Sequence, residues 1–89
     1  YWHFYDLSNG GCYLAPSHVK YHLIHADNFF DATVSGEAAG IIVSLFTFSH
    51  VSFLLEDDPL GPRIAQSFHL LRDFAGDHPE ASLIFRAID

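Results

Sequence analysis

The sequence predicts an α+β domain: a small antiparallel β-meander of three to four strands followed by three helices, the first long and buried. Three observations lead there. Residues 1–34 fall into short extended runs separated by turn residues, residues 38–55 form an eighteen-residue run without a charge, and two amphipathic segments, each with a Pro near its start, complete the chain. Strands in one block and helices in the next are the pattern of a segregated α+β fold rather than of alternating βαβ units.

The first strand is read over Trp2 to Leu7, where aromatic and polar residues alternate imperfectly. Ser8, Asn9, Gly10 and Gly11 supply a turn, because Asn and Gly tolerate the positive φ of tight hairpins, and CYLAP returns until Pro16 stops it. In VKYHLIH, Val19, Tyr21 and Leu23 alternate with Lys20 and His22, giving a third strand. After an Asp27-Asn28 turn, FFDATV places Phe30, Ala32 and Val34 on one face of a fourth.

Ser35 is positioned as the N-cap of a helix over residues 36–55, and Glu37 suits the positive end of its dipole. EDDPLGP then breaks the chain, with Pro62 expected as the first residue of a second helix. There Ile64, Phe68, Leu71 and Ala75 recur at helical spacing opposite Arg63, Gln66 and Arg72, so this helix must dock, and Gly76 is expected to close it. A third, short helix starts behind Asp77 or His78 with Pro79 near its first turn, and lines up Ala81, Ile84 and Ile88. No repeat, low-complexity segment or long linker divides residues 1–89, which read as a single domain.

The uncharged run also has nearly the length of a membrane span. Its ten Leu, Ile, Phe and Val residues give roughly −3 to −6 kcal/mol on an insertion scale. His50, Thr47 and three Ser erode that gain, and the flanks are acidic (Glu37; Glu56, Asp57, Asp58) with no Lys or Arg to anchor a span. The strands and the two later helices each carry an apolar face that needs a central element to bury against, so the run is expected to be a core helix. Gly36, Gly40 and Ser44 form a small-residue row that admits a close neighbour.

Composition narrows the function classes. Four basic against eleven acidic residues give a net charge of −7, which argues against electrostatic binding of nucleic acid. The acids lie in small groups rather than an extended stripe, so a solvated acidic surface is favoured over mimicry of DNA phosphates. One Cys excludes an internal disulfide and suits a reducing, cytoplasmic setting. The chain opens without Met or a signal peptide and reads as lacking N-terminal residues.

No catalytic constellation stands out. His18, His22 and His25 have a metal-like spacing, but on a strand His25 points away from the other two. His50 reads as a hydrogen-bonded core histidine, Cys12 as a small buried hydrophobe, and SNGG lacks the Gly spacing, Lys and following helix of a phosphate loop. On these residues the chain is a non-enzymatic acidic domain with no metal and no cofactor.

Taken together, FYDLSNGGCYLAP, SGEAAGIIVSLFTFSHVSF and HLLRDFAGDHPEASLIFRAID resemble, in order and spacing, the C-terminal part of the KlcA/ArdB antirestriction proteins of plasmids and other mobile elements. The matching positions are Ser8, Asn9, Gly10, Gly11, Ala15 and Pro16, then Ala38, Ala39 and Gly40, and finally Arg72, His78, Pro79, Glu80 and Asp89. Cys12 stands where a larger aromatic residue is expected and Leu14 where Met is usual. The resemblance implies a compact α+β protein that protects incoming plasmid or phage DNA from host type I restriction-modification enzymes, with an N-terminal helical segment of the family fold outside this chain.

The expected mechanism is non-catalytic and protein-directed, through direct or indirect contact with the host type I restriction enzyme. Neither nucleic-acid binding nor membrane association is expected. Candidate contact residues are Asn9, Gly10 and Gly11 in the turn and the acids Asp77, Glu80 and Asp89. Two alternatives stay open: a metal-assisted hydrolase built on His18, His22 or Cys12, and a membrane-associated regulator.

Overall fold

The computed structural model describes residues 2–16, 20–25 and 29–88. Their elements follow the predicted order: β1 (Trp2–Asp6), β2 (Cys12–Pro16), β3 (Lys20–His25), β4 (Phe30–Ser35), α1 (Gly36–Leu54), α2 (Leu60–Gly76) and α3 (Ala81–Ile88). Val19, at the start of the expected third strand, and the Asp27-Asn28 turn lie outside the described residues.

The strands pair as two antiparallel hairpins rather than as one continuous meander. β1 runs against β2 with Trp2 opposite Pro16 and Asp6 opposite Cys12, and β3 runs against β4 with Lys20 opposite Ser35 and His25 opposite Phe30. The division has a specific cause at the far edge of β2. There the Ser44 hydroxyl of α1 accepts from the Leu14 N–H (3.1 Å) and donates to the Leu14 carbonyl (3.4 Å), taking both groups that a third strand would have paired.

Gly40, one turn before Ser44, makes that approach possible. A β-carbon on Gly40 would stand 2.5 Å from Ala15 Cα and closer still to the Leu14 carbonyl oxygen, so only a residue without a side chain fits. Replacing Ser44 with Ala adds no bulk and orphans both Leu14 groups. The expected cost is about 1–3 kcal/mol, read as a lower melting temperature by circular dichroism.

α1 begins where its cap predicts: Ser35 is extended and its hydroxyl accepts from the Ala38 N–H at 3.0 Å. Its N-terminal half is the centre of the fold, with Ala38, Ile41 and Leu45 fully buried among Tyr13 and Ala15 of β2, Phe30 and Val34 of β4, Leu71 and Ala75 of α2, and Ile84 and Ala87 of α3. Beyond Leu45 the covering thins, and Phe46, Phe53 and Leu54 are exposed. α1 has the length and composition of a membrane-crossing helix; 39% of that stretch is packed inside the domain, all of it in the half before Phe46.

α2 starts two residues earlier than Pro62, and the Asp58 carboxylate accepts the Leu60 N–H at 2.8 Å just ahead of its first turn. Pro62 is tolerated there, since first-turn N–H groups have no partner within the helix. β1 departs further from expectation. Its aromatic side chains stay largely outside the core: Trp2, Phe4 and Tyr5 are all exposed, and the buried face of this hairpin is supplied by Tyr13 and Ala15.

Candidate functional site

The turn joining β1 to β2 is closed by its own backbone and then pinned to α2. Leu7 N–H donates to Gly11 O (2.8 Å) and Gly10 N–H to Leu7 O (3.1 Å), with Gly10 at φ +91°, a conformation that side chains with a β-carbon rarely adopt. Asn9 uses both ends of its amide: the oxygen accepts from Gly11 N–H and the nitrogen donates to the Leu70 carbonyl, each at 2.8 Å. An open cleft of about 520 Å³ lies beside this contact, lined by Asn9, Gly10, Arg63, Gln66, Ser67 and Leu70 among others.

Glu80 sits elsewhere, at the start of α1. Glu80, in the loop between α2 and α3, accepts from the Ser35 N–H at 3.0 Å and from the Ser35 hydroxyl at 2.5 Å. Its own N–H donates to His78 Nδ1 (3.0 Å), and the buried His78 ring faces Glu37 through Nε2 at 2.6 Å. With Nδ1 accepting from Glu80, Nε2 is the ring nitrogen that donates to Glu37. Burial works against the charge of Glu80, but the hydrogen bonds from the Ser35 side chain and backbone, with His78 nearby, outweigh it and hold the carboxyl below its ordinary value.

The six candidate contact residues therefore fall into distinct settings. Asn9, exposed, and Glu80, half-buried, both spend polar atoms on hydrogen bonds within the chain, Gly11 is buried beneath Leu70, and Gly10 and Asp77 face solvent. Asp89 lies outside the described residues. Asp77 ends α2, its N–H donating to Phe74 O at 3.1 Å.

Cys12 is half-buried rather than fully enclosed. Burial first, and then the Asp6 carboxylate, push its thiol above the ordinary value, away from a thiolate nucleophile. Tyr13 is pushed up to about 12 by burial and by Glu37 and Tyr5, so it stays neutral. His22 pairs with Asp31 across the β3–β4 hairpin, and His18 lies outside the described residues. Among the described residues no three His, Cys, Asp or Glu side chains converge to hold a metal.

Residue-by-residue reading missed an apolar groove of about 380 Å³ between the β1–β2 hairpin and α1. Its lining includes Trp2, Phe4, Cys12, Tyr13, Ser44 and Phe48. The signal for it was present: Trp2 and Phe4, two residues apart in an extended run, share one face.

The family described as "Antirestriction protein" matches residues 1–89, the whole chain. The chain belongs to the antirestriction protein family. Antirestriction protein KlcA of Escherichia coli is 41% identical over 90 residues, covering 100% of this chain and 63% of KlcA. An uncharacterized protein of Escherichia coli K12, YfjX, is 44% identical over 91 residues, covering 99% of this chain and 57% of YfjX.

A solved structure superimposes on 100% of this chain and 63% of its own, with TM-score 0.92 and 39% identity. It comes from work on the KlcA and ArdB proteins, described as having a novel fold and antirestriction activity against type I DNA restriction systems in vivo but not in vitro. The antirestriction chain thus has the fold of that structure and spans 57–63% of the length of these relatives. Within this family member, the Gly40 contact sets α1 against the first hairpin, and the Ser35–Glu80 clamp ties the second hairpin to the α2–α3 loop.

Proposed function

We propose that the protein protects incoming plasmid or phage DNA from host type I restriction-modification enzymes by a non-catalytic, protein-directed mechanism in the cytoplasm. The observation that carries this reading is the match over the whole chain, at 39% identity and TM-score 0.92, to a structure described as having that activity in vivo. The charge of −7, with dispersed acids, disfavours contact with DNA itself. The internally engaged Asn9 and Glu80 and the raised Cys12 thiol disfavour a catalytic role for these three residues. Activity of that relative in vivo but not in vitro favours the indirect arm, in which a further cellular component completes the contact.

Plating of unmodified phage on a type I restricting host, with and without the full-length gene, tests the reading. Expression should raise plating efficiency toward that of a non-restricting host. Unchanged restriction with the protein present would sink the proposal.

A further inference from the structure

Asn9 is followed by Gly10, the pairing in which an Asn side chain is most open to attack by the backbone beyond it. Glycine puts no β-carbon beside its own nitrogen, and asparagine is among the heat-labile residues. The attack runs from the Gly10 nitrogen to Asn9 Cγ. The N–H proton passes to solvent base, the new N–C bond closes a succinimide, and the bond from Cγ to Nδ2 breaks, with ammonia leaving. Water then opens the ring on one side or the other and leaves aspartate or isoaspartate at this position. Nothing beyond water and base is consumed. The other Asn of the sequence, Asn28, precedes Phe29, whose side chain crowds the same approach.

In the folded chain the groups that must move are held. The Asn9 oxygen is fixed by the Gly11 N–H and Nδ2 by the Leu70 carbonyl of α2, each at 2.8 Å, so Cγ cannot turn toward the backbone. The attacking nitrogen is engaged too, since the Gly10 N–H donates to Leu7 O at 3.1 Å. Asn9 and Gly10 are both exposed within this chain, so hydrogen bonds, and not burial, hold the reaction off. Only a local opening in which the turn lifts from α2 frees both reacting atoms together.

The products do not fit back. Where Nδ2 donates to the Leu70 carbonyl, an aspartate sets a second acceptor against it, and attraction becomes repulsion. Isoaspartate adds a carbon to the main chain between positions 9 and 10, which displaces the Leu7–Gly11 and Gly10–Leu7 hydrogen bonds that close the turn. We infer that Asn9–Gly10 is a deamidation site that the fold holds shut, and that the modification, once made, releases the β1–β2 turn from α2 for good. The inference goes beyond the antirestriction reading and does not depend on it.

Full-length protein is held in mildly alkaline buffer, folded in one sample and unfolded in guanidinium chloride in the other. Peptide mapping by mass spectrometry, with an isoaspartate assay, then follows both Asn residues. In the unfolded sample Asn9 should convert well ahead of Asn28. In the folded sample Asn9 should convert at least about tenfold more slowly than in the unfolded one, because three hydrogen bonds must first open. Gly11→Val leaves Asn9 and Gly10 in place, but a β-carbon at Gly11 stands 3.0 Å from Leu70 Cβ and 3.1 Å from the Asn9 oxygen, pressing the turn off α2. That variant should raise the folded rate by about tenfold. Gly11→Ala replaces it if circular dichroism shows the Val variant unfolded. Asn9→Asp, which carries one of the two products, should lower the melting temperature by at least about 2 °C.

Equal rates in the folded and unfolded samples would overturn the proposal, because the fold would then guard nothing. Absence of conversion at Asn9 in the unfolded sample would remove the site itself. A folded Gly11 variant that reacts no faster than wild type would show that the contact with α2 is not the guard. An Asn9→Asp protein that melts with wild type would show that the product leaves the turn docked, which contradicts the release.

Discussion

Gly40→Leu is expected to abolish the native fold, or to lower its melting temperature by more than about 12 °C. The reason is steric and local. A β-carbon at this position falls within 2.6 Å of both Ala15 Cα and Ala15 Cβ, and closer to the Leu14 carbonyl oxygen. Two of those atoms are backbone, which cannot rotate aside. Relief requires α1 to back away from β2, which breaks the Ser44–Leu14 hydrogen bonds and opens the core around Ala38, Ile41 and Leu45. The cost should exceed the ~3 kcal/mol upper end of ordinary overpacking. For a domain of this size, whose whole stability is about 5–13 kcal/mol, that is a large share.

The smaller change Gly40→Ala gives the sharper comparison. On an exposed helix, Gly→Ala stabilises by about 1 kcal/mol through helix propensity alone. At Gly40 it should destabilise, whereas at Gly76, where a β-carbon would meet nothing within 4 Å, it should be neutral or stabilising. Thermal melts of Gly40→Ala and Gly76→Ala side by side check the claim. Equal melting temperatures for the two would refute the close approach of α1 to β2.

The second large effect is expected at Glu80. Its carboxylate satisfies the Ser35 N–H and steers the hydroxyl that caps α1, while its backbone N–H is held by His78, itself tied to Glu37. Glu80→Ala cuts this tie between the α2–α3 loop and the start of α1. Loss of hydrogen bonds to a charged group sets the cost at about 1.5–3 kcal/mol. Chemical denaturation of wild type and variant measures it.

The effect carries a pH signature. The folded carboxyl titrates below its ordinary value of 4.5, so its stabilisation is fully present above that pH and is lost as pH falls through the lower folded value. The stability gap between wild type and Glu80→Ala should therefore close only below about pH 4.5. A gap that stays constant down to about pH 3 would show that the charged carboxylate is not what holds the clamp.

Much of the fold was legible because its signals are local. Ser35 announces the start of α1 within three residues of the N–H it caps, and Asn-Gly-Gly announces the β1–β2 turn. The alternation of Phe30, Ala32 and Val34 gave the inward face of β4, and the spacing of Leu71 and Ala75 gave the inward face of α2. The small-residue row at Gly40 and Ser44 was also readable as a site of close approach.

What the row approaches was not readable. Ser44 meets Leu14 thirty residues away, and nothing in either segment says that a helix, rather than β3, takes the edge of β2. The same distance in sequence hid the contacts of the candidate site. Asn9 and Leu70 are 61 residues apart, and Ser35 and Glu80 are 45 apart, so neither hydrogen bond can be seen until the chain is folded. The groove was hidden for a different reason. Aromatic residues in β1 imply burial by default, and only the arrangement of neighbours shows Trp2 and Phe4 left open.

Protection directed at the restriction enzyme, and not at the DNA, makes a prediction that separates one class of restriction system from another. The measurement that tests it most directly is plating of one unmodified phage stock on two hosts, one with a type I and one with a type II restriction system, each with and without the full-length gene. The predicted result is relief of restriction on the type I host and no relief on the type II host. Relief on both hosts would contradict protein-directed protection, because it would mean that the incoming DNA itself is being shielded or altered, and relief on neither would remove the protein from antirestriction altogether.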